Sequence, residues 1–139
     1  MRTLVLDCSA ALALVLPDEF SGAVQDALVG SASQRTRVLV PAFWWYECTN
    51  VLLQAVRRER IQLSQAREAL GLLSRLPSQT RDAASLVDAV HLMHLSTRLK
   101  LSAYDAAYLA LAEVSGGVLV SLDRKLCDAA HSIGILNAL

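Results

Sequence analysis

The chain has 139 residues, 54% of them apolar, and its 13 basic and 13 acidic side chains cancel to a formal net charge of zero. That length supports one domain, residues 1–139, with a full hydrophobic core, and no run approaches the roughly 20 apolar residues of a membrane span. Neutrality excludes a global field that draws the protein to nucleic acid, so any such binding rests on a local patch. A mean hydropathy of +0.39 exceeds what one core needs and predicts a face that meets another copy or a partner. Eleven of the basic residues are Arg, which suits forked recognition of phosphate or carboxylate. Cys8, Cys48 and Cys127 are odd in number and set among apolar neighbours, as buried thiols of a reducing compartment are. Asp7 interrupts the apolar N-terminal run and no cleavage site follows, so an export signal is not expected and the cytoplasm is.

In chain order, residues 2–6 read as a buried strand closed by Asp7. Ser9 is expected to cap a helix that runs to Leu16 and is stopped by Pro17. A second helix is expected over 20–29, stopped by Gly30, then a polar loop over 31–36 and a strand over 37–40 closed by Pro41. From Phe43 a long helix passes Trp44, Trp45, Tyr46, Glu47 and Asn50 and ends in Arg57-Arg58-Glu59-Arg60; Glu47 and Asn50, three apart, share a face. Further helices are expected over 64–76, with Ser64 as cap, and over 84–99, with a short strand between them in 77–82. The stretch 104–114 is an almost wholly apolar helix with one carboxylate, Asp105, in its first turn; Ser102 lies three residues before it, and Gly116-Gly117 end the helix. A strand over 118–122, Asp123, a helix over 124–131 and a short strand over 133–136 complete the chain. Strands alternating with helices predict a three-layer α/β fold: a short, mainly parallel central sheet with helices on both faces.

Asp7 and Asp123 follow strands, at the carboxyl rim where open α/β sheets bind ligands, and Asp105 and Glu47 lie early in helices that can face the same rim. Each acid alone has an ordinary explanation as a cap, turn or solvated helix residue. Four together, with the polar Ser9, Asn50 and Ser121 beside them, read as one site. Crowded carboxylates repel, and oxygen-only donors suit a hard ion, so Mg²⁺ or Mn²⁺ is the expected cofactor and phosphodiester hydrolysis the expected chemistry.

Asp7-Cys8-Ser9 after a strand, Glu47-Cys48-Thr49-Asn50 on a helix, the segment from Tyr104 to Ala112 and Ser121-Leu122-Asp123-Arg124-Lys125-Leu126 together resemble a PIN domain. More narrowly, they resemble the VapC-type toxins of bacterial and archaeal toxin-antitoxin pairs. The resemblance spans essentially the whole chain, and the Asp105 segment is its most specific part. It implies a metal-dependent endoribonuclease whose acidic cluster is Asp7, Glu47, Asp105 and Asp123, supported by Ser9, Asn50 and Ser121, a Thr being commoner at the last position. In the implied mechanism Asp7, Asp105 and Glu47 hold one ion, Asp123 helps orient water or a second ion, and cleavage leaves 5′-phosphate and 3′-hydroxyl ends. The implied partners are RNA, a cognate antitoxin that docks Arg or Lys in the acidic groove, a second copy in a homodimer, and DNA only through the antitoxin.

Arg124 and Lys125, next to the site in sequence, are candidate phosphate contacts or ordinary solvated charges. Asp128 reads as a solvated helix position, and His91 and His94 share a helix face without an evident third ligand. The Trp44-Trp45-Tyr46 cluster reads as packing rather than a base-stacking platform. Two rival acidic Mg²⁺ sites lack their residues: a receiver domain wants paired acids after the first strand and a late Lys, and a haloacid dehalogenase-like phosphatase wants an Asp where Ser9 stands. The remaining alternative is a catalytically inactive binding module whose acidic groove docks a basic partner segment.

Overall fold

The structure, a computed structural model, describes residues 1–29, 35–82 and 85–139. Its strands are β1 (Arg2–Leu6), β2 (Thr36–Pro41), β3 (Ser78–Arg81) and β4 (Val118–Val120), all parallel, in the order β3-β2-β1-β4. In β1, Leu4, Val5 and Leu6 are fully buried, as a strand covered on both faces requires. The chain steps outward from β1 to β3 and then returns to lay β4 against the free side of β1. That reversal opens a crevice at the carboxyl ends of β1 and β4, where sheets of this class place their ligands.

The helices are α1 (Cys8–Val15), α2 (Gly22–Val29), α3 (Trp44–Arg57), α4 (Leu63–Leu73), α5 (Leu86–Leu99), α6 (Ala103–Ser115) and α7 (Arg124–Ser132). Helices α1 to α4 pack on one another, while α6 lies along β1, β2 and β4 with α5 against it, which gives the expected three layers. Helix α6 buries Ala106, Tyr108, Leu109 and Ala112, so its small residues let it approach the sheet closely. It begins at Ser102, whose Oγ accepts the Asp105 N–H at 3.1 Å, and ends at Gly116 with φ of 63°. The left-handed turn there is one that glycine adopts without a Cβ penalty.

Several boundaries depart from the sequence reading, each for a local reason. Asp7, not Ser9, caps α1, because its carboxylate accepts the Ala10 N–H; the Ser9 hydroxyl is turned toward that same carboxylate. Gln62, not Ser64, caps α4 through a reciprocal box with Gln65. Helix α2 starts at Gly22 rather than at the exposed Phe20, and α3 ends at Arg57 because Glu59 turns left-handed at φ 59°. Beyond that turn Arg60 pairs with Asp18 and Glu19, both at 2.8 Å. The expected last strand is reduced to a single parallel bridge between Leu119 and Asn137. Gly30, most of the 31–36 loop and the Ala84 start of α5 lie outside the described residues.

Candidate active site

Asp7 follows β1 directly and is 4% exposed, so its charge must be balanced by donors. Three donors do this, one of them shared between both oxygens. The Ser9 hydroxyl stands 2.8 Å from Oδ1 and 3.0 Å from Oδ2, the Ala10 N–H donates to Oδ1 at 2.9 Å, and the Ser121 hydroxyl donates to Oδ2 at 2.5 Å. The same two hydroxyls tie β4 to β1. Ser9 Oγ accepts the Leu122 N–H at 3.0 Å and Ser121 Oγ accepts the Asp123 N–H at 3.0 Å. Asp123 caps α7 by accepting the Leu126 N–H at 3.1 Å. Glu47, one turn into α3, accepts the Tyr108 hydroxyl at 2.5 Å. Asp105 stands one turn before Tyr108 on α6.

Asp7, Glu47, Asp105 and Asp123 all line one open cavity of about 480 Å³, whose apolar wall includes Leu12, Ala13 and Val51. Burial is the main cause that raises the Asp7 carboxyl above the ordinary carboxylate range; the bonds from Ser121, Ala10 and Ser9 pull it back, and the charge of Asp123 adds to the rise. Glu47 is raised first by burial, against the Tyr108 bond, with further push from Asp105 and Asp7. Asp105 is raised by burial and then by Asp123, opposed by Ser102 and Lys125. The acids therefore feel one another, which makes the cavity a place where positive charge is stabilised. Among the described residues no three acid, imidazole or thiol groups meet as a finished metal cage: the carboxylates ring the cavity instead. The donor set is otherwise that of a hard cation. Cys8 lines the cavity, but contact with Cys48, and then burial, hold its thiol strongly protonated, so it offers no thiolate.

The structure thus brings together Asp7, Glu47, Asp105, Asp123, Ser9 and Ser121. It does not bring in Asn50, which is exposed and outside the cavity lining; Val51 lines it instead. Arg124 and Lys125 are exposed and line a neighbouring cleft, as does Asp128. His91 meets Glu113 at 3.6 Å, and both it and His94 are exposed. Trp44 is fully buried and edge-on to Trp45 at 4.9 Å, whereas Tyr46 is exposed. Two positioning residues were absent from the sequence reading. Tyr108 orients Glu47, a role legible in hindsight from its spacing of three after Asp105. Asn137 clamps Ser121, accepting its N–H at 3.4 Å and donating to its carbonyl at 3.2 Å.

A family model described as PIN domain matches residues 4–132. The chain belongs to the PIN-domain family. Among curated relatives, this PIN domain is 31% identical over 129 residues to the VapC ribonuclease Mb0985 of Mycobacterium bovis, an alignment that covers 93% of this chain and 92% of the relative. It is 35% identical over 128 residues to Ribonuclease VapC3 of Pyrobaculum aerophilum, covering 90% and 92%. Among solved structures, PAE2754 from Pyrobaculum aerophilum superposes with a TM-score of 0.69 at 24% identity, over 99% of this chain and 84% of that one. VapBC2 from Rickettsia felis, bound to a DNA fragment from its promoter, superposes with a TM-score of 0.70 at 12% identity, over 98% and 97%. Both likenesses are of fold, and the three-layer PIN architecture is the one these chains share.

Proposed function

We propose that this PIN domain is a metal-dependent endoribonuclease, the toxin of a toxin-antitoxin pair, that hydrolyses RNA phosphodiester bonds. The observation that carries the reading is the ring of four acids around one switch-point cavity, in a chain whose relatives at 31% and 35% identity are named ribonucleases. Asp7, Glu47, Asp105 and Asp123 are the residues that would hold Mg²⁺ or Mn²⁺; such an ion, when bound, supplies an acidified water and neutralises phosphate charge. The chain's own part is preorganisation. Ser9 and Ser121 fix both oxygens of Asp7, so the carboxylate is held without rotamer freedom before any ligand arrives. Tyr108 fixes one oxygen of Glu47, and Asp123, which caps α7 through Oδ1 and lines the cavity, would help orient the attacking water.

The apolar wall beside the acids suits a basic, partly apolar segment, as an antitoxin peptide carrying Arg or Lys would present. The solved neighbour VapBC2, bound to promoter DNA, supports an antitoxin partner of this kind, through which any contact with DNA would be made. Self-association is supported by α5, whose Leu86, Val87, Val90 and Met93 are 59–80% exposed. This ridge adjoins a groove of about 770 Å³ between α5 and α6, so one face carries both halves of a self-complementary contact, as a two-fold dimer needs. No helix among the described residues is long and apolar enough to cross a membrane.

The test is incubation of the purified protein with end-labelled single-stranded RNA and Mg²⁺ or Mn²⁺. Fragments with 5′-phosphate ends, abolished by EDTA, are expected. A protein that cuts no RNA across a diverse panel, yet binds a basic peptide at the cavity, leaves the binding-module reading in its place.

A further inference from the structure

Beside the acidic cavity lies a second cleft of about 660 Å³, between the α5–α6 junction and one face of α7. Its lining includes Arg98, Lys100, Arg124 and Lys125, against one acid, Asp128. Four cations in one cleft are a strong local departure for a chain of zero net charge. All four are exposed, and none is in an ion pair among the described residues, whereas Arg60 elsewhere is held by two carboxylates. Their placement is set by the backbone. Lys100 is the left-handed C-cap of α5 at φ 56°, where the chain turns toward Ser102, the N-cap of α6. Arg124 and Lys125 open α7 immediately after Asp123, and cations there are placed against the dipole of the helix N-terminus, a position fold stability does not favour. Asp123 lines the acidic cavity and the next two residues, Arg124 and Lys125, line the basic cleft, so cavity and cleft share an edge.

We infer that this cleft is a phosphate track: Arg98, Lys100, Arg124 and Lys125 grip the backbone of a single-stranded RNA on one side of the bond that the acidic cavity cuts. The inference rests on the ribonuclease reading for its ligand. An acidic cavity repels a polyanion, and a strand can be held across it only by cations outside the cutting point. Arg forks and Lys point charges bind phosphate without reading bases, so the track supplies affinity and register rather than sequence choice.

The experiment measures equilibrium binding of a 12-nucleotide RNA to the full chain in EDTA, so that nothing is cut, across a salt series. Wild type is compared with the Arg98→Gln/Lys100→Asn pair; Asn keeps the left-handed turn that Lys100 occupies. Loss of two phosphate contacts makes the salt slope shallower by about 1.4 and, extrapolated from 1 M to 0.1 M salt, weakens binding roughly 25-fold. With Mg²⁺ present, KM on long RNA rises while kcat is retained, and Arg98→Lys/Lys100→Arg restores both slope and KM. Equal slopes for wild type and the Gln/Asn pair, or tight binding of an acidic peptide with RNA excluded, overturn the track. A wild type that binds with the expected slope but never cuts keeps the track and removes the nuclease reading instead.

Discussion

Ser121 carries two jobs with one oxygen, and its replacement by Ala tests how the site is held. The hydroxyl is 1% exposed, donates to Asp7 Oδ2 at 2.5 Å and accepts the Asp123 N–H at 3.0 Å. A hydrogen bond to a buried carboxylate contributes about 1.5–3 kcal/mol and a neutral backbone bond about 0.5–1 kcal/mol. Ser121→Ala is therefore expected to cost about 2–4 kcal/mol at neutral pH, or about 6–12 °C in Tm for a chain of this size. The loss depends on pH with a definite sign. Asp7 is already raised in the folded state, so its contribution to stability is greatest below the unfolded carboxyl value of about 3.9 and is lost as pH rises through the folded value. Ser121 is the largest influence pulling Asp7 down, so its removal raises the folded value further and widens the window over which stability is lost. Urea denaturation from pH 4 to pH 8 should show the smaller gap at the acid end, about 1–2 kcal/mol, where a protonated Asp7 leaves the variant only neutral bonds to lose, and a wider gap as pH rises. Ser121→Thr, which keeps the hydroxyl, should close most of the gap. A gap that is constant from pH 4 to pH 8, or a Thr variant as unstable as Ala, would refute the reasoning.

Asp105→Asn removes a carboxylate raised by burial and by Asp123, so the metal-free variant should melt slightly above wild type at pH 7.5. The group is partly exposed, so solvent screening keeps the gain below about 1 kcal/mol, and the gain should vanish as pH falls below the carboxyl range. Mn²⁺ at 100 times its Kd should add about 2.7 kcal/mol to wild type and much less to this variant, read as a Tm shift. Tyr108→Phe deletes the bond that lowers Glu47, so the acid limb of the cleavage rate against pH should move to higher pH, with about 1–2 kcal/mol lost in denaturation. Gly116→Ala, at φ 63°, should cost about 1 kcal/mol through strain alone. Gly117→Ala should cost more, because a Cβ there would stand 2.9 Å from Ser115 Oγ and 3.3 Å from the Thr3 carbonyl of the central strand; parallel melts of the two variants give the order.

The fold was legible because each element carries its own punctuation: Pro17 and Pro41 close elements, Ser102 caps α6, and Gly116 ends it in a left-handed turn. The acids at strand ends followed from the same pattern, since a parallel sheet sends all its carboxyl ends to one rim. Where sequence reasoning failed, the determinant was geometry between elements. Asn50 follows Glu47 by three residues, about 60° to one side on the helix, whereas the four-residue neighbour Val51, about 40° to the other side, lines the cavity. Asn137 could not be found from local pattern, because its partner Ser121 is 16 residues away and the two meet only when the C-terminal segment lies beside β4. The caps fall at Asp7 and Gln62, two residues before the expected Ser9 and Ser64: Asp and Ser cap equally well, so sequence cannot choose between Asp7 and Ser9, and Gln62 caps only because Gln65 completes the box with it.

The central claim is that the four acids act as one metal-dependent cutting site, and single-turnover cleavage of a labelled RNA in Mn²⁺ tests it most directly. Wild type is compared with Asp7→Asn, Glu47→Gln, Asp105→Asn, Asp123→Asn and the Asp7→Asn/Asp105→Asn double variant, with folding of each confirmed by its melt. Residues that work as a unit fail together, so each single variant should lose about 100-fold or more and the double should be no worse than the more damaged single. Cleavage by Asp105→Asn at the wild-type rate, or losses that simply multiply in the double variant, would contradict the account.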